Sequence, residues 1–255
     1  MLIPCSHFHN YIVINVLEMV EKSFLNIHVQ GNEIEEVFHM KTVFVAGANG
    51  RTGHKIAKLL VQNGYEVIGL VRQDEHKKLL EDVGASGVLG DLTESFSEGL
   101  RRVDAVICAA GAGIDHDPEE VDHVGTVRLI EQCVLEGIDR FIMISSMGTN
   151  NPDSMPHIKP YLIAKRQAEM VLEESTLTHT IIRPGGLTDD EPTGFVEAAP
   201  RLEQSGHISR GDVAQAAVLA LSIPHTENQS FDLVRGNTPI EQALASLIVK
   251  HNDAP

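Results

Sequence analysis

A run with three regularly spaced glycines constrains the fold of this chain more than any other feature. The apolar stretch 43–46 is followed by Gly47, Gly50 and Gly53 and then by an amphipathic segment. This order predicts a buried strand, a tight turn and a helix that begins near Thr52. A chain with this pattern folds as an α/β protein whose first strand is central.

The same turn is expected to bind phosphate. Backbone N–H groups at a helix N-terminus lack partners and attract anions, and glycine lets a ligand approach the main chain closely. The run therefore predicts a site for a dinucleotide pyrophosphate, whose residues are Gly47, Asn49, Gly50, Arg51, Thr52 and Gly53.

Composition narrows the class of partner. The chain has 255 residues and a formal net charge of -16, which argues against nucleic acid and anionic membranes as partners. No apolar run reaches the roughly 18 residues of a membrane span. Three cysteines without a pairing pattern and histidines without metal-ligand spacing indicate a cytoplasmic protein with no bound metal. We expect a small-molecule substrate, and a homodimer is the assembly that we keep open.

Strand and helix patterns alternate from residue 41 onward, which predicts a doubly wound parallel Rossmann sheet with helices on both faces and strand order 3-2-1-4-5-6. The predicted strands are 42–46, 66–71, 87–89, 104–109, 139–145 and 178–183. The predicted helices are 52–63, 74–83, 94–101, 118–136 and 160–175.

The two ends of the chain depart from this alternation. Residues 1–39 do not match the rest, and we expect them to be an appendage to a Rossmann domain that begins at Met40, with an upstream start codon as one origin. Residues 185–255 are expected to form a small substrate cap. That cap is predicted to contain a long loop with a short helix over 185–207, a capped helix over 210–222, a strand over 229–234 and a helix over 239–250.

Arg72 ends the second predicted strand, where a dinucleotide-binding fold recognises the adenosine ribose. A basic residue at that position favours NADP through its 2′-phosphate, whereas Asp74 keeps NAD open. The alternative is that Arg72 is only a solvated strand end. Arg51 is a second candidate ligand for a phosphate.

Two further strand ends are candidates for cofactor contact. Asp91 and Leu92 follow the third strand, where a carboxylate accepts a hydrogen bond from adenine or merely caps the next helix. The small residues Ala109, Ala110 and Gly111 end the fourth strand, where they let a cofactor pass close to the backbone or serve tight packing alone.

Tyr161 and Lys165 are spaced to share one helix face at the carboxyl edge of the sheet. A nearby ammonium favours phenolate, so the pair is expected to lower the pKa of Tyr161 and make it an acid/base group. Ser146, at the end of the fifth strand, can place a hydroxyl beside the same reacting oxygen. The alternative is a packing tyrosine and a solvated lysine.

These motifs together resemble the short-chain dehydrogenase/reductase superfamily, with the closest likeness to its atypical NAD(P)-binding members, the epimerase/dehydratase and NmrA-like groups. Pro184-Gly185-Gly186 and 208–214 add to the likeness, which spans about 41–250. The resemblance implies a Rossmann fold with Tyr161 as acid/base and Lys165 on the nicotinamide ribose. It further implies that Ser146 steadies the substrate oxygen and that Pro184 and Gly185 border the nicotinamide.

The resemblance leaves three functions open. The first is an NADP-dependent oxidoreductase acting on a small carbonyl or alcohol. The second is an NAD(P)-dependent epimerase or dehydratase, and the third is an NmrA-like NADP sensor without turnover. The spacing from Ser146 to Tyr161 departs from both main groups of the family, and an alternative alignment places Met147 at the position of the catalytic hydroxyl.

Overall fold

The computed structural model describes two strands within 25–38 and residues 42–94, 99–113 and 116–247. The chain divides into two compact units, Met1–Met40 and Lys41–Pro255. In the first unit, β1 (Leu25–Gln30) pairs antiparallel with β2 (Glu33–Phe38). That residues 1–39 are an appendage stays a prediction.

The larger unit is built on a nine-stranded sheet whose first six strands in chain order are parallel. Their order across the sheet is β5-β4-β3-β6-β7-β8, which confirms the predicted order 3-2-1-4-5-6. The strands are β3 (Thr42–Ala46), β4 (Glu66–Val71), β5 (Ser86–Leu89), β6 (Ala105–Cys108), β7 (Arg140–Ile144) and β8 (Thr178–Pro184).

Helices connect these strands. They are α1 (Gly53–Gln62), α2 (Glu75–Glu81), α3 (Thr126–Glu136), which continues a π-helical segment at Glu119–Gly125, and α4 (Lys159–Glu174). The predicted helix over 94–101 is wrong in its described part, where residues 99 and 101–102 form turns. Its centre, 95–98, lies outside the described residues. Gly99, with φ +91, and Arg102, with φ 62, lie in a region that a right-handed helix does not use.

The C-terminal part contains four strands that the sequence pattern did not predict, in addition to the predicted strand near 229–234. Its elements are β9 (Gly186–Thr188), β10 (Phe195–Ala199), β11 (His207–Ser209), α5 (Arg210–Leu219), β12 (Gln229–Arg235), β13 (Thr238–Pro239) and α6 (Ile240–Ala245). The predicted loop and short helix over 185–207 are therefore wrong. Very short strands such as β9 carry no readable alternation of polar and apolar residues.

This part extends the central sheet. β12 pairs parallel with β8, and β10 and β13 follow in antiparallel pairing, whereas β9 and β11 form a separate two-stranded sheet. The predicted cap on α5 is confirmed, because the Ser209 hydroxyl accepts a hydrogen bond from the Asp212 N–H at 2.9 Å.

Apolar side chains on both faces of the sheet form two cores. Val43 and Val45 of β3 belong to one core, and Phe44 and Ala46 belong to the other. Successive side chains of a strand point to opposite faces, so a continuous apolar run is buried only when helices cover both faces. The carboxyl ends of the parallel strands then meet at one edge, where ligands bind in this class of fold.

Candidate active site

The glycine turn between β3 and α1 packs against the end of β6. Gly47 has φ +78, and a Cβ on it would lie 2.8 Å from Ala110 Cα. A Cβ on Gly53 would lie 2.1 Å from the Gly47 carbonyl oxygen. Thr52, at the N-cap of α1, makes no side-chain capping bond. The turn thus presents backbone to the cleft and leaves the helix N-terminus for a ligand, which fits a pyrophosphate.

Most of the residues predicted to bind a cofactor line one cleft at the carboxyl edge of the sheet. The lining residues come from the glycine turn and from the ends of β4, β5 and β6, and they include Gly47, Asn49, Gly50, Arg72, Asp91, Leu92, Ala109, Ala110 and Gly111. Ala110 is packed tightly against the glycine turn and also lines the cleft, so its contact with a cofactor stays a prediction.

Arg72 lines this cleft at the end of β4 and is exposed. Its Nη1 donates a hydrogen bond to Nε2 of His116 at 2.7 Å. Nδ2 of Asn49, which also lines the cleft, lies 3.1 Å from Nδ1 of His76. The sequence analysis did not single out the contacts of either histidine, because a contact between residues distant in the chain leaves no spacing pattern.

Arg51 is not among the residues that line this cleft. Its Nη1 lies 2.9 Å from Oδ2 of Asp189, and the other carboxylate oxygen of Asp189 lies 2.9 Å from Nη1 of Arg210. Arg51 and Asp189 are well exposed, at 70% and 58% of their side-chain surface. The role of Arg51 as a phosphate ligand stays a prediction.

Asp91 organises a local turn. Its Oδ1 accepts hydrogen bonds from the backbone N–H and the hydroxyl of Thr93, both at 2.9 Å. The alternative is that Asp91 caps a following helix. The described residues after it, 92–94 and 99–102, form no α-helix that it could cap. The carboxylate nevertheless lines the cleft, so a contact with adenine remains a prediction.

A second cleft lies beside the first and holds the predicted chemical groups. Ser146, Tyr161, Pro184 and Gly185 all line it. It is bounded on the other side by residues of the C-terminal part and of the segment before α4, namely Met155, His157, Ile158, Leu187, His207 and Arg210. Met147 also lines this cleft, which keeps the alternative alignment of the hydroxyl position open.

Lys165 is buried between the two clefts. Its Nζ donates to the carbonyl oxygens of Ala110 at 3.0 Å and Ile144 at 3.2 Å, and it lies 3.0 Å from Oδ1 of Asp122. The same Nζ lies 6.0 Å from the centre of the Tyr161 ring. The alternative of a solvated lysine is wrong, because only 2% of this side chain is exposed.

Asp122 is a buried partner of Lys165 that the sequence analysis missed. It is fully buried in the π-helical segment, and its Oδ2 accepts the Ala112 N–H at 2.9 Å. Burial alone would lower the pKa of Lys165, but the Asp122 carboxylate raises that pKa above its ordinary value. Lys165 therefore stays charged inside the protein.

The expected lowering of the tyrosine pKa is wrong. Burial raises the pKa of Tyr161 above its usual value, and the Lys165 charge that lowers it is opposed by Asp122. The neighbouring Ser146 hydroxyl, which donates to the carbonyl oxygen of Met147 at 3.1 Å, lowers the pKa of the phenol without reversing the shift. Tyr161 is consequently a protonated phenol at neutral pH, suited to donating a proton.

The neighbouring serine has a structural role. Ser145 donates its hydroxyl to Oε1 of Glu169 at 2.5 Å, and Arg183 donates to both carboxylate oxygens of Glu169, at 3.0 and 2.8 Å. Burial would raise the pKa of Glu169, but these bonds and the charge of Arg183 lower it. Ser145 is thus bound to Glu169, whereas Ser146 is the serine close enough to Tyr161 to affect the pKa of its phenol.

Within 42–94, 99–113 and 116–247, no group of three or more histidine, cysteine or acidic side chains is arranged to hold a metal. None of the helices described above is long and apolar enough to cross a bilayer.

Comparison with known proteins bears on the first cleft. The chain matches the NAD(P)H-binding family over residues 47–224. It is 41% identical over 213 residues to YhfK of Bacillus subtilis, named an uncharacterized sugar epimerase, with 80% of this chain and 99% of that protein covered. Sanguinarine reductase of Eschscholzia californica is 30% identical over 242 residues, with 75% of this chain and 88% of that protein covered.

A solved structure leads to the same group. A Bacillus halodurans protein named as an NAD-dependent epimerase/dehydratase has a TM-score of 0.77 at 36% identity, with 80% of this chain and 98% of that chain covered. The matched residues include the glycine turn, both clefts and α4. The chain is thus a Rossmann-fold member of the NAD(P)H-binding family, similar to oxidoreductases and epimerases.

Proposed function

We propose that this protein is an NADP-dependent oxidoreductase that reduces a small carbonyl compound. One observation carries the proposal: Lys165 bonds the Ala110 carbonyl in the wall of the nucleotide cleft and lies next to Tyr161 in the second cleft. A single buried cation therefore connects the predicted cofactor site with the predicted proton donor. Adjacent sites of this kind suit transfer between a bound nicotinamide and a substrate.

The family cofactor fits the first cleft. The glycine turn would hold the pyrophosphate against backbone N–H groups, and the ends of β4 and β5 would hold the adenosine. When bound in reduced form, the nicotinamide supplies hydride to a carbonyl carbon. Arg72 supports NADP over NAD, because it lines the cleft at the end of β4, where folds of this class recognise the ribose, and within the described parts of the chain its guanidinium hydrogen-bonds only His116.

Tyr161 would donate its proton to the substrate oxygen as negative charge develops there. Its raised pKa keeps that proton in place at neutral pH. The ammonium of Lys165 would then stabilise the resulting phenolate, because it lies 6.0 Å from the ring centre and Asp122 keeps it charged. The Ser146 hydroxyl would hold the substrate oxygen in position beside the Tyr161 phenol.

Reduction is favoured over the two alternatives. Epimerisation, which the names of two relatives support, begins by removing a proton, and a raised pKa keeps Tyr161 protonated at neutral pH, so little phenolate is present to accept that proton. A sensor without turnover is favoured by Met147 beside Ser146, yet it has no use for a proton donor at the adjoining cleft.

The test compares Tyr161→Phe with the wild type. We expect the variant to keep NADPH binding and to lose at least about 100-fold in NADPH consumption with a panel of aldehydes and ketones. Tyr65→Phe is the matched control, because Tyr65 directly precedes β4 and so lies at the edge of the sheet opposite the clefts. The activity of this variant should equal that of the wild type. Unchanged consumption in Tyr161→Phe would remove the role of the phenol. Turnover without net NADPH consumption would indicate epimerisation.

A further inference from the structure

We propose that the second cleft selects a substrate that carries a carboxylate beside an apolar body, and that Arg210 binds this carboxylate. The inference rests on the proposed function of the same cleft and names its substrate class. Three observations support it: the charge of the lining, the contacts of Arg210 and the exposure of Asp189.

The lining of the cleft departs from the charge of the chain. The protein carries a formal net charge of -16. Among the described residues, however, those that line this cleft include no aspartate or glutamate, and its ionisable groups are Tyr161, His157, His207 and Arg210. A cleft of this composition attracts anions, since low-dielectric walls focus the field of the few charges inside.

Arg210 is placed to bind a carboxylate. It is the first residue of α5, its side chain is only 10% exposed, and it reaches the cleft lining. Its Nη1 donates to Asp189, whereas no contact within the described parts of the chain engages Nε or Nη2. A largely buried guanidinium with unused donors is suited to bidentate binding of a planar anion.

Asp189 is a replaceable partner for Arg210. It is 58% exposed, and it also contacts the exposed Arg51. Water can solvate the exposed Asp189 carboxylate when it leaves Arg210, and an incoming carboxylate would keep the largely buried Arg210 paired, so the exchange has a low cost. Asp189 would still be paired with Arg51 after that exchange.

The rest of the lining describes the body of the substrate. Met147, Met155, Ile158 and Leu187 are apolar residues that line the same cleft as Arg210, Tyr161 and Ser146. Methionine side chains adapt to irregular apolar surfaces. We therefore infer an oxo acid whose carbonyl faces Tyr161 and whose carboxylate faces Arg210, separated by an apolar or aromatic spacer.

The experiment measures binding without turnover. 4-Carboxybenzaldehyde and 4-acetylbenzoate, each beside its neutral methyl ester, are titrated calorimetrically into the full-length protein with and without NADP⁺. We expect each acid to bind about tenfold or more tightly than its ester. Arg210→Met should remove this preference, and the exposed Arg101→Met should retain it.

A second variant separates binding from structural support. Asp189→Asn removes the competing carboxylate, so it should strengthen the binding of both acids, whereas a merely structural role for the Arg210–Asp189 pair would weaken it. Arg210→Lys keeps the charge and should retain a reduced preference, which covers the case in which Arg210→Met does not fold. Equal affinity for acids and esters, absence of binding, or a preference that survives in Arg210→Met would overturn the proposal. Preferential binding without NADPH-dependent reduction would instead overturn the oxidoreductase function and leave the carboxylate site intact.

Discussion

Lys165 Nζ lies 3.0 Å from the carbonyl oxygen of Ala110, so the helix that carries the proposed proton donor is bonded to the wall of the nucleotide cleft. The same ammonium pairs with the fully buried Asp122. This relationship makes the lysine a structural connection as well as a charge, and its two roles can be separated by mutation.

Lys165→Met should destabilise the protein strongly, because it leaves the Asp122 carboxylate buried without its cation. We expect a loss of about 3–5 kcal/mol in the free energy of unfolding, measured by urea denaturation at pH 7. Adding Asp122→Asn should recover most of that loss, since the amide oxygen can still accept the Ala112 N–H. Lys58→Met, at an exposed position of α1, should change little, and equal effects at both lysines would contradict the buried pair.

Gly53→Ala should abolish nucleotide binding. The added Cβ would lie 2.1 Å from the Gly47 carbonyl oxygen, so the turn must move away from the position that presents its N–H groups. Fluorescence titration with NADPH measures the loss, and circular dichroism checks the fold. Gly64→Ala is the control: its positive φ brings strain, but nothing lies within 4 Å of the new Cβ, so binding should persist. Full binding by Gly53→Ala would place the pyrophosphate elsewhere.

Arg72→Ala should weaken NADPH binding far more than NADH binding. Losing a charge-assisted hydrogen bond to the 2′-phosphate should lower the affinity for NADPH roughly 10- to 100-fold. NADH has no 2′-phosphate, so its affinity should change little. The dissociation constants of both nucleotides are to be compared in the variant and in the wild type. Losses of the same size for both would rule out recognition of the 2′-phosphate by Arg72.

Glu169→Gln should cost about 3–5 kcal/mol at pH 7, because the buried Arg183 loses its anionic partner. The folded-state pKa of Glu169 lies below its ordinary value, so its stabilising effect is fully present above the unfolded pKa, near 4.3. The stability difference between wild type and variant should therefore be constant above about pH 5.5 and shrink below about pH 4.

The control for this pH dependence is the exposed residue Glu81, whose replacement by glutamine should leave the stability curve almost unchanged. Urea denaturation at several pH values measures both variants. A wild-type advantage that does not decrease toward low pH would show that the ionised carboxylate of Glu169 is not its source.

The sequence was sufficient to predict the parts of the fold that follow from local patterns. Buried strands such as β3 and β6 are continuous apolar runs, and Gly47 and Gly53 mark a turn that only glycine can form, so strand order and the nucleotide cleft followed directly. The two-residue strand β13 and the three-residue strand β9 carry no such pattern, because pairing with distant partners determines them.

The electrostatics of the site could be predicted from the sequence only in part. The spacing of Tyr161 and Lys165 indicated their proximity, but the pKa of the phenol depends on burial and on Asp122, which a π-helical turn brings to the lysine. Asp122 is distant in sequence from Lys165, which it contacts, and Arg210 is distant from Tyr161, with which it lines the second cleft. Their contributions are set by tertiary packing, which a single sequence does not reveal.

The central claim is that the glycine turn and the ends of the neighbouring strands bind NADP(H). Calorimetric titration of the purified wild-type chain with NADPH and then with NADH tests it most directly. The account requires saturable binding at one site per chain, with NADPH bound at least about tenfold more tightly than NADH. Absence of heat with either nucleotide, under conditions in which the protein is folded, would contradict it.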